Sequence, residues 1–183
     1  ENRDTVCVDK GLLSVSWSSD GDTLAAGTWG YGVYLINAGE SKVKQILKGH
    51  SGAVFRVRFS PDGSLLATSS RDGTIRIWNT KSWKEVDSLT GHDAEVRCLA
   101  FSPDGQMLVS GDTCGTMMLW DVGLHEAIQA YEFHDDLGTP QALFDAVVAP
   151  DNTTVASSGR FLTLLDSQSG DTHRIVSVRV RHS

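Results

Sequence analysis

One segment of this chain is repeated at a fixed spacing. Residues 49–79 read GHSGAVFRVRFSPDGSLLATSSRDGTIRIWN, and residues 91–121 read GHDAEVRCLAFSPDGQMLVSGDTCGTMMLWD. Equivalent positions, such as Trp78 and Trp120, lie 42 residues apart. A period of this length is typical of stacked supersecondary units, because one unit cannot bury its own apolar face and needs neighbours. The repeat therefore sets the architecture before any single residue is interpreted.

Each unit contains four short segments with the composition of β-strands, rich in β-branched and aromatic residues and bounded by turn residues. The predicted strands are 12–17, 23–27, 32–36, 43–47, 54–59, 65–70, 74–78, 85–89, 96–101, 107–110, 116–120, 127–133, 142–148, 154–157, 161–165 and 174–180. Residues 5–8 form a further β-prone run, and 122–131 is the one stretch where a helical turn competes. The strands divide a single domain over 1–183 into units at approximately 5–47, 48–89, 90–133 and 134–183.

The first strand of each unit carries apolar residues in a recurring phase. Trp17, Phe59, Phe101 and Val148 share one phase, and Val15, Val57, Leu99 and Ala146 precede them by two residues. An apolar strand with turns at both ends suits burial between neighbouring sheets. We therefore expect the first strands to lie innermost with these side chains buried. The Pro-Asp-Gly sequences at 61–63 and 103–105 predict tight hairpins directly after two of them, and Asn152 stands where the other units have Gly.

These motifs resemble those of the WD-repeat family of β-propellers. The matching sequences are Gly-His at 49–50 and 91–92, Ser-Pro-Asp-Gly at 60–63 and 102–105, Trp-Asn at 78–79 and Trp-Asp at 120–121. The resemblance implies an all-β propeller with four-stranded antiparallel blades, about four of which are present here. Such propellers usually close with seven or eight blades, so an incomplete ring is expected. The missing initial Met favours a fragment of a longer protein over two alternatives, a dimer that completes the ring and an open or smaller ring.

The resemblance also implies a hydrogen-bonded structural tetrad in each well-formed unit. In the second unit the tetrad joins His50, Thr68, Asp72 and Trp78, and in the third it retains His92, Ser110 and Trp120. Cys114 stands at the third unit's Asp position, so that tetrad is expected to lack its carboxylate. The first and fourth units lack the tryptophan and are expected to rely on apolar packing.

Composition excludes several classes of function. A net charge of −7 and a pI near 5.2 argue against a nucleic-acid binder or an anionic-membrane binder, which usually present a basic surface. No apolar run approaches the roughly 18 residues that span a bilayer. Cys7, Cys98 and Cys114 share no ligand spacing, which favours reduced thiols and an intracellular location, in the cytoplasm or alternatively the nucleus.

No catalytic, cofactor or metal site is predicted. His50, Thr68 and Asp72 include the residue types of a catalytic triad, but the tryptophan supplies a fourth partner with no catalytic use, and the set recurs with the repeat. His134 and the two carboxylates after it include metal-ligand types, although adjacent carboxylates in a turn are usually just solvated. A propeller-based enzyme would need titratable groups converging on the central channel, and the sequence indicates none.

The residue types favour an interaction surface instead. By the geometry of the resembled family, the turns between second and third strands share one face of the disc with the loops entering the first strands. That face would carry Trp29, Tyr31, Phe55, Arg71 and Arg97, of types enriched at binding hot spots. The alternatives are that Trp29 and Tyr31 pack on the neighbouring unit, that Phe55 is core, and that the arginines form surface ion pairs.

We therefore predict a non-catalytic scaffold that presents this face to protein or peptide partners, with self-association if the ring is incomplete. A structural repeat within a larger assembly is the alternative, and basic peptide tails stay open as partners. The second unit also carries a local group of arginines at 56, 58, 71 and 76, and the last residues carry more at 174, 179 and 181. Either they receive an acidic or phosphorylated peptide, or they pair with acidic residues of adjacent blades.

Overall fold

A computed structural model describes residues 10–135, 137–160 and 162–175. These residues form four separate antiparallel sheets. The first sheet consists of β1 (Leu12–Trp17), β2 (Thr23–Thr28), β3 (Val33–Asn37) and β4 (Lys42–Leu47). The second consists of β5 (Val54–Phe59), β6 (Leu65–Ser70), β7 (Ile75–Asn79) and β8 (Glu85–Leu89). The third consists of β9 (Val96–Phe101), β10 (Met107–Asp112), β11 (Thr116–Asp121) and β12 (Glu126–Glu132). The fourth consists of β13 (Asp145–Val148), β14 (Thr154–Ser158), β15 (Leu162–Asp166) and β16 (Thr172–Ile175).

Within each sheet the strands follow chain order, so every sheet is a simple meander. Most strands agree with the prediction to within one residue at each end, and the larger differences lie in the third and fourth units. β10 continues to Asp112, because the backbone of Asp112 still pairs with Val96, whereas β13 begins only at Asp145. Residues 122–131 contain most of a strand, β12, rather than a helical turn. The predicted run 5–8, Phe161 and the part of the last predicted strand beyond residue 175 lie outside the described residues.

The turn between the first and second strands has the same backbone geometry in all four sheets. Gly21, Gly63 and Gly105 share a φ of +74°, and Asn152 adopts +61°. A left-handed residue is needed here because the turn reverses the chain within a few residues, and Gly and Asn tolerate that conformation best. The expectation from Pro-Asp-Gly, and from Asn152 in its place, is confirmed.

Neighbouring sheets pack face to face through apolar clusters. Between the first and second sheets the buried set is Ala25, Val33, Leu35, Leu47, Val54, Val57, Leu66 and Trp78. Between the second and third it is Ala67, Ile75, Ile77, Leu89, Val96, Leu99, Leu108, Met118 and Trp120. Between the third and fourth it is Cys98, Val109, Met117, Leu119, Leu143, Ala146, Val155 and Leu165. Neighbouring sheets therefore bury the faces that they turn toward each other by stacking, as the repeat predicts.

The first strands lie side by side along a common axis, with β5 in contact with β1 and β9, and β9 in contact with β13. This is the radial arrangement of propeller blades. In the part of the chain that the structure describes, the four blades form an arc that does not close into a ring. Among the residues that the structure describes, no helix is long and apolar enough to cross a bilayer.

One expectation about this inner layer is wrong. Val57 and Leu99 are fully buried and Ala146 is 4% exposed, but Val15 and Trp17 in the first sheet are 51% and 56% exposed. Their register partners Ala26 and Leu24 lie on the side of the first sheet that faces away from the second. No described residue forms a sheet on that side, so the apolar pattern of β1 is retained without the burial.

Candidate functional site

The tetrad of the second unit is present as a continuous chain of hydrogen bonds. His50 Nδ1 lies 2.9 Å from Asp72 Oδ2, and His50 Nε2 lies 2.8 Å from Thr68 Oγ1. Trp78 Nε1 donates to the same hydroxyl at 3.0 Å. Thr68 is fully buried, and Trp78 and His50 are 3% and 7% exposed. The group therefore links β6, β7, the turn between them and the loop before β5 inside the blade.

The donors and acceptors fix how the protons are arranged. A carboxylate can only accept and an indole can only donate, so Asp72 receives the Nδ1 proton of His50 and Thr68 receives the proton of Trp78. The single hydroxyl proton of Thr68 is then donated to Nε2 of His50. Because the hydroxyl is already engaged on both sides in a dry interior, it is not arranged as a nucleophile. The geometry is that of a structural network.

The third unit has a complete tetrad, contrary to the expectation from Cys114. His92 Nε2 and Trp120 Nε1 meet Ser110 Oγ at 2.7 and 2.8 Å. Nδ1 of His92 lies 2.8 Å from Oδ2 of Asp112, and Asp112 is fully buried. The carboxylate comes from the end of β10, two residues before the expected position. Its other oxygen accepts the backbone N–H groups of Cys114 and Thr116, both at 2.9 Å.

The environment keeps both tetrad carboxylates ionised. Burial raises the pKa of Asp72, but hydrogen bonds from His50 and Thr74 outweigh it, and the net effect holds that pKa well below its ordinary value. Burial also opposes ionisation of Asp112, and the His92 and Thr116 hydrogen bonds again lower its pKa overall. Each folded-state pKa is therefore lower than the unfolded one, so these groups stabilise the fold at neutral pH.

A pH-dependent stability follows for Asp72. Its contribution is complete above the unfolded pKa of about 4 and is lost as pH falls through the lower folded pKa, by at most about 1.4 kcal/mol per pH unit. At about pH 7 we expect Asp72→Asn to lower the free energy of unfolding by about 1–3 kcal/mol. Urea unfolding of both proteins at decreasing pH should show this difference shrinking below about pH 4. A difference that stays constant into that range would contradict the assignment.

The predicted binding face forms a connected row of side chains across three blades. The Trp29 ring packs edge-on against Phe55, with centroids 6.2 Å apart, and the Arg97 guanidinium carbon lies 3.9 Å from the centroid of the Phe55 ring. Arg97 also reaches Glu95 at 2.7 Å, and Arg71 Nε reaches the other oxygen of Glu95 at 2.8 Å. The row therefore runs from the first blade through the second to the third.

Phe55 is not exposed on this face. Its exposed fraction is only 3%, compared with 48% for Trp29 and 53% for Tyr31. Trp29 and Arg97 cover it from above, so it supports the surface from below and does not offer its ring to a partner. The alternative interpretation of Phe55 as a packed residue is the one that the geometry favours.

Glu95 is the member of the row that sequence reasoning missed. It lies in the loop before β9 and binds both arginines, so the ion-pair alternative for Arg71 and Arg97 is realised in the structure. Two guanidinium groups share one carboxylate, and the side chain of Arg71 is still 57% exposed. The sequence did offer one signal, an acidic residue that lies two positions before Arg97 and directly before the first strand of the third unit.

Two cavities open on this face, and Tyr31 lines both. One, of about 310 Å³, is bounded by Trp29, Tyr31, Arg71, Asp72 and residues 51–53. The other, of about 360 Å³, lies between the turn at Tyr31 and the segment around His50. Tyr31 has a φ of +68°, which is uncommon for a residue with a side chain. Asp72 also accepts the N–H of Ser51 at 2.9 Å, so the tetrad stiffens one cavity wall.

The histidine and carboxylates after residue 133 do not form a metal site in the part of the chain that the structure describes. The Asp135 carboxylate accepts the backbone N–H groups of Leu137 and Thr139, both at 2.9 Å, which is the geometry of a loop. Across residues 10–135, 137–160 and 162–175, no three His, Cys, Asp or Glu side chains are grouped to hold a metal ion. Asp136 lies outside these ranges.

The blades and their tetrads define the class of protein as a β-propeller built from repeats. Residues 41–79 and 83–121 match the family model described as WD domain, G-beta repeat. The chain therefore contains two WD repeats, and its four-stranded antiparallel sheets are consistent with WD-repeat blades. No curated protein matched it as a relative. WD repeats generally serve as protein-interaction scaffolds, and domains built from them typically bind protein partners.

Proposed function

We propose that this chain is a non-catalytic scaffold that binds a protein or peptide through the face bearing Trp29, Tyr31, Arg71 and Arg97. The observation that carries the proposal is the cavity of about 310 Å³, which is lined by two half-exposed aromatic rings and an exposed guanidinium. Aromatic and Arg side chains are the residue types that most often dominate binding energy. The free thiols Cys98 and Cys114 fit the intracellular location that we include in this proposal.

The mechanism is equilibrium binding by a preformed surface. Trp29 is held by Phe55, and Arg71 is held by Glu95, so little side-chain freedom is left to lose when a partner binds. The tetrad beneath the cavity is fully hydrogen-bonded, which keeps its wall in place. The partner that fits is a protein segment with an apolar side chain for the cavity and an acceptor group for Arg71. Net charge makes nucleic acids and anionic membranes poor candidates.

The test is an affinity capture with a matched control. We expect Trp29→Ala combined with Arg71→Ala to lose partners that the wild type captures, because each hot-spot side chain contributes about 2 kcal/mol or more, or roughly thirtyfold in affinity. The control combines Lys81→Ala with Leu124→Ala, two exposed residues in the loops of the opposite face. Equal recovery of every partner by all three proteins would remove the proposed face.

A structural role for the same residues predicts a different result. If Trp29 served only to cover the second blade, the double variant would lower the unfolding temperature and lose partners only in proportion to the unfolded fraction. Measuring thermal unfolding of the same preparations separates the two cases. Loss of capture with an unfolding temperature close to that of the control supports an interaction surface.

A further inference from the structure

Most arginines of the second unit are paired with carboxylates. Arg71 meets Glu95 at 2.8 Å, Arg76 meets Glu85 at 2.5 Å, and Arg56 lies 4.0 Å from Asp145. Arg56 also donates to the backbone oxygen of Phe144 at 2.8 Å, which joins the second blade to the fourth across the axis. These contacts account for three of the four arginines that the sequence singles out there.

Arg58 is the exception. Among the described residues no carboxylate lies within 4.0 Å of its guanidinium, which donates only to the Val57 carbonyl at 2.9 Å and, weakly, to Ser14 Oγ at 3.4 Å. It is half-buried, on the axis side of β5. Burial lowers the pKa of Arg58 and the charge of Arg56 lowers it further, with Asp145 opposing them. An anion placed beside Arg58 would offset both unfavourable effects.

A cavity of about 330 Å³ opens directly next to this guanidinium. Its walls come from the last residues of β5 and β9, from the whole of β13 and from the turns that follow β5 and β9. The larger apolar lining residues are Phe59, Pro61, Phe101, Pro103, Val147 and Val148. Arg58 and Asp145 are the charged groups in the lining. Because Pro61 and Pro103 belong to turns after first strands, this cavity opens on the face opposite Trp29.

We propose that this cavity is a second binding site, which takes a peptide segment carrying a carboxylate beside an aromatic or branched aliphatic side chain. The carboxylate pairs with Arg58, whose fork of N–H groups matches its geometry. The apolar side chain lies against Phe59 and Phe101. The Asp145 carboxylate limits the negative charge that the cavity accepts, because additional negative charge on the ligand would be repelled by this carboxylate. This favours a singly charged carboxylate over a phosphate, which carries nearly two charges.

The site is independent of the proposed face, since the two share no residue and open on opposite sides. The probe is an array of peptides, each with two residues chosen from Leu, Ile, Val, Phe and Trp between Gly-Ser flanks. One Glu stands before or after the two apolar residues, and all combinations are included. Matched peptides carry Gln or phosphoserine in place of Glu. We expect wild-type protein to bind its best Glu peptides at least about tenfold more tightly than the matching Gln peptides. A tenfold difference in affinity corresponds to about 1.4 kcal/mol of binding free energy.

Three variants make the assignment specific. Arg58→Gln should abolish the preference for Glu over Gln, whereas Lys42→Gln, which removes an exposed charge elsewhere, should keep it. Asp145→Asn should strengthen binding of the Glu peptides, because it removes the competing carboxylate, and this gain serves as the test even if Arg58→Gln unfolds. Equal retention of Glu and Gln peptides, no retained peptide, or a preference that survives Arg58→Gln would overturn the proposal. Stronger retention of the phosphoserine peptides would overturn the choice of carboxylate.

Discussion

Asp112→Ala is expected to lower the free energy of unfolding by about 3–5 kcal/mol, while Cys114→Ala changes it by no more than about 0.5 kcal/mol. Removing the fully buried carboxylate leaves the Nδ1 proton of His92 and the N–H groups of Cys114 and Thr116 without their acceptor. Each buried donor left unpaired costs about 1–3 kcal/mol. The Cys114 side chain is exposed, so its thiol contributes little.

Urea denaturation of the two variants and the wild type measures this difference directly. The pair is informative because alignment of the repeats places Cys114, and not Asp112, at the position of the tetrad acid. If Cys114→Ala proved the more damaging change, or Asp112→Ala were neutral, the tetrad of the third blade would not be assembled as described. An unchanged urea dependence of the unfolding free energy is needed to exclude a change in the unfolded state.

Val57→Ala should cost about 2–3 kcal/mol, whereas Val15→Ala should cost about 1 kcal/mol or less. The two valines occupy equivalent positions of the first and second repeats, 42 residues apart. Val57 is fully buried between the first and second sheets, and Val15 is 51% exposed on the open side of the first. The same chemical change therefore removes an interface contact in one blade and a half-exposed side chain in the other.

Thermal and urea unfolding of the two single variants test whether the stability of a blade comes from its neighbour. If the two variants lost the same unfolding free energy, contact with a neighbouring sheet would add nothing to the contribution of Val57. The stacking of sheets would then not explain stability. The comparison has its own internal control, because both substitutions lie in the same phase of a first strand and carry the same intrinsic cost in strand propensity.

Local features that recur with the repeat could be predicted from the sequence. The turns at Gly63, Gly105 and Asn152 were predictable because few residues tolerate left-handed backbone. The strand pattern followed from short segments rich in β-branched and aromatic residues between turn residues. The exposure of Trp17 was not predictable, because β1 has the sequence of a buried strand. Whether its side chains are buried depends on a sheet beside β1, and no described residues form one there.

In the tetrads and the binding face, too, some residues could be predicted from the sequence and others could not. Residue spacing was sufficient to associate His50 with Trp78, since these positions recur with the repeat. It was not sufficient for Asp112, because a carboxylate two residues away can reach the same histidine when the strand continues further. Glu95 was missed for a comparable reason, since a residue that bridges two blades has no fixed spacing in sequence.

The most direct measurement of the central claim is amide hydrogen exchange of the chain alone and bound to a partner recovered in the capture experiment. If one face of the stacked blades is the interaction surface, the partner should slow exchange in residues 28–32, 51–53 and 70–73, which form the turns and loop around the cavity at Trp29. Exchange in the opposite loops, at 80–84 and 122–125, should not change. Protection of those opposite loops, with unchanged exchange around Trp29, would contradict the account.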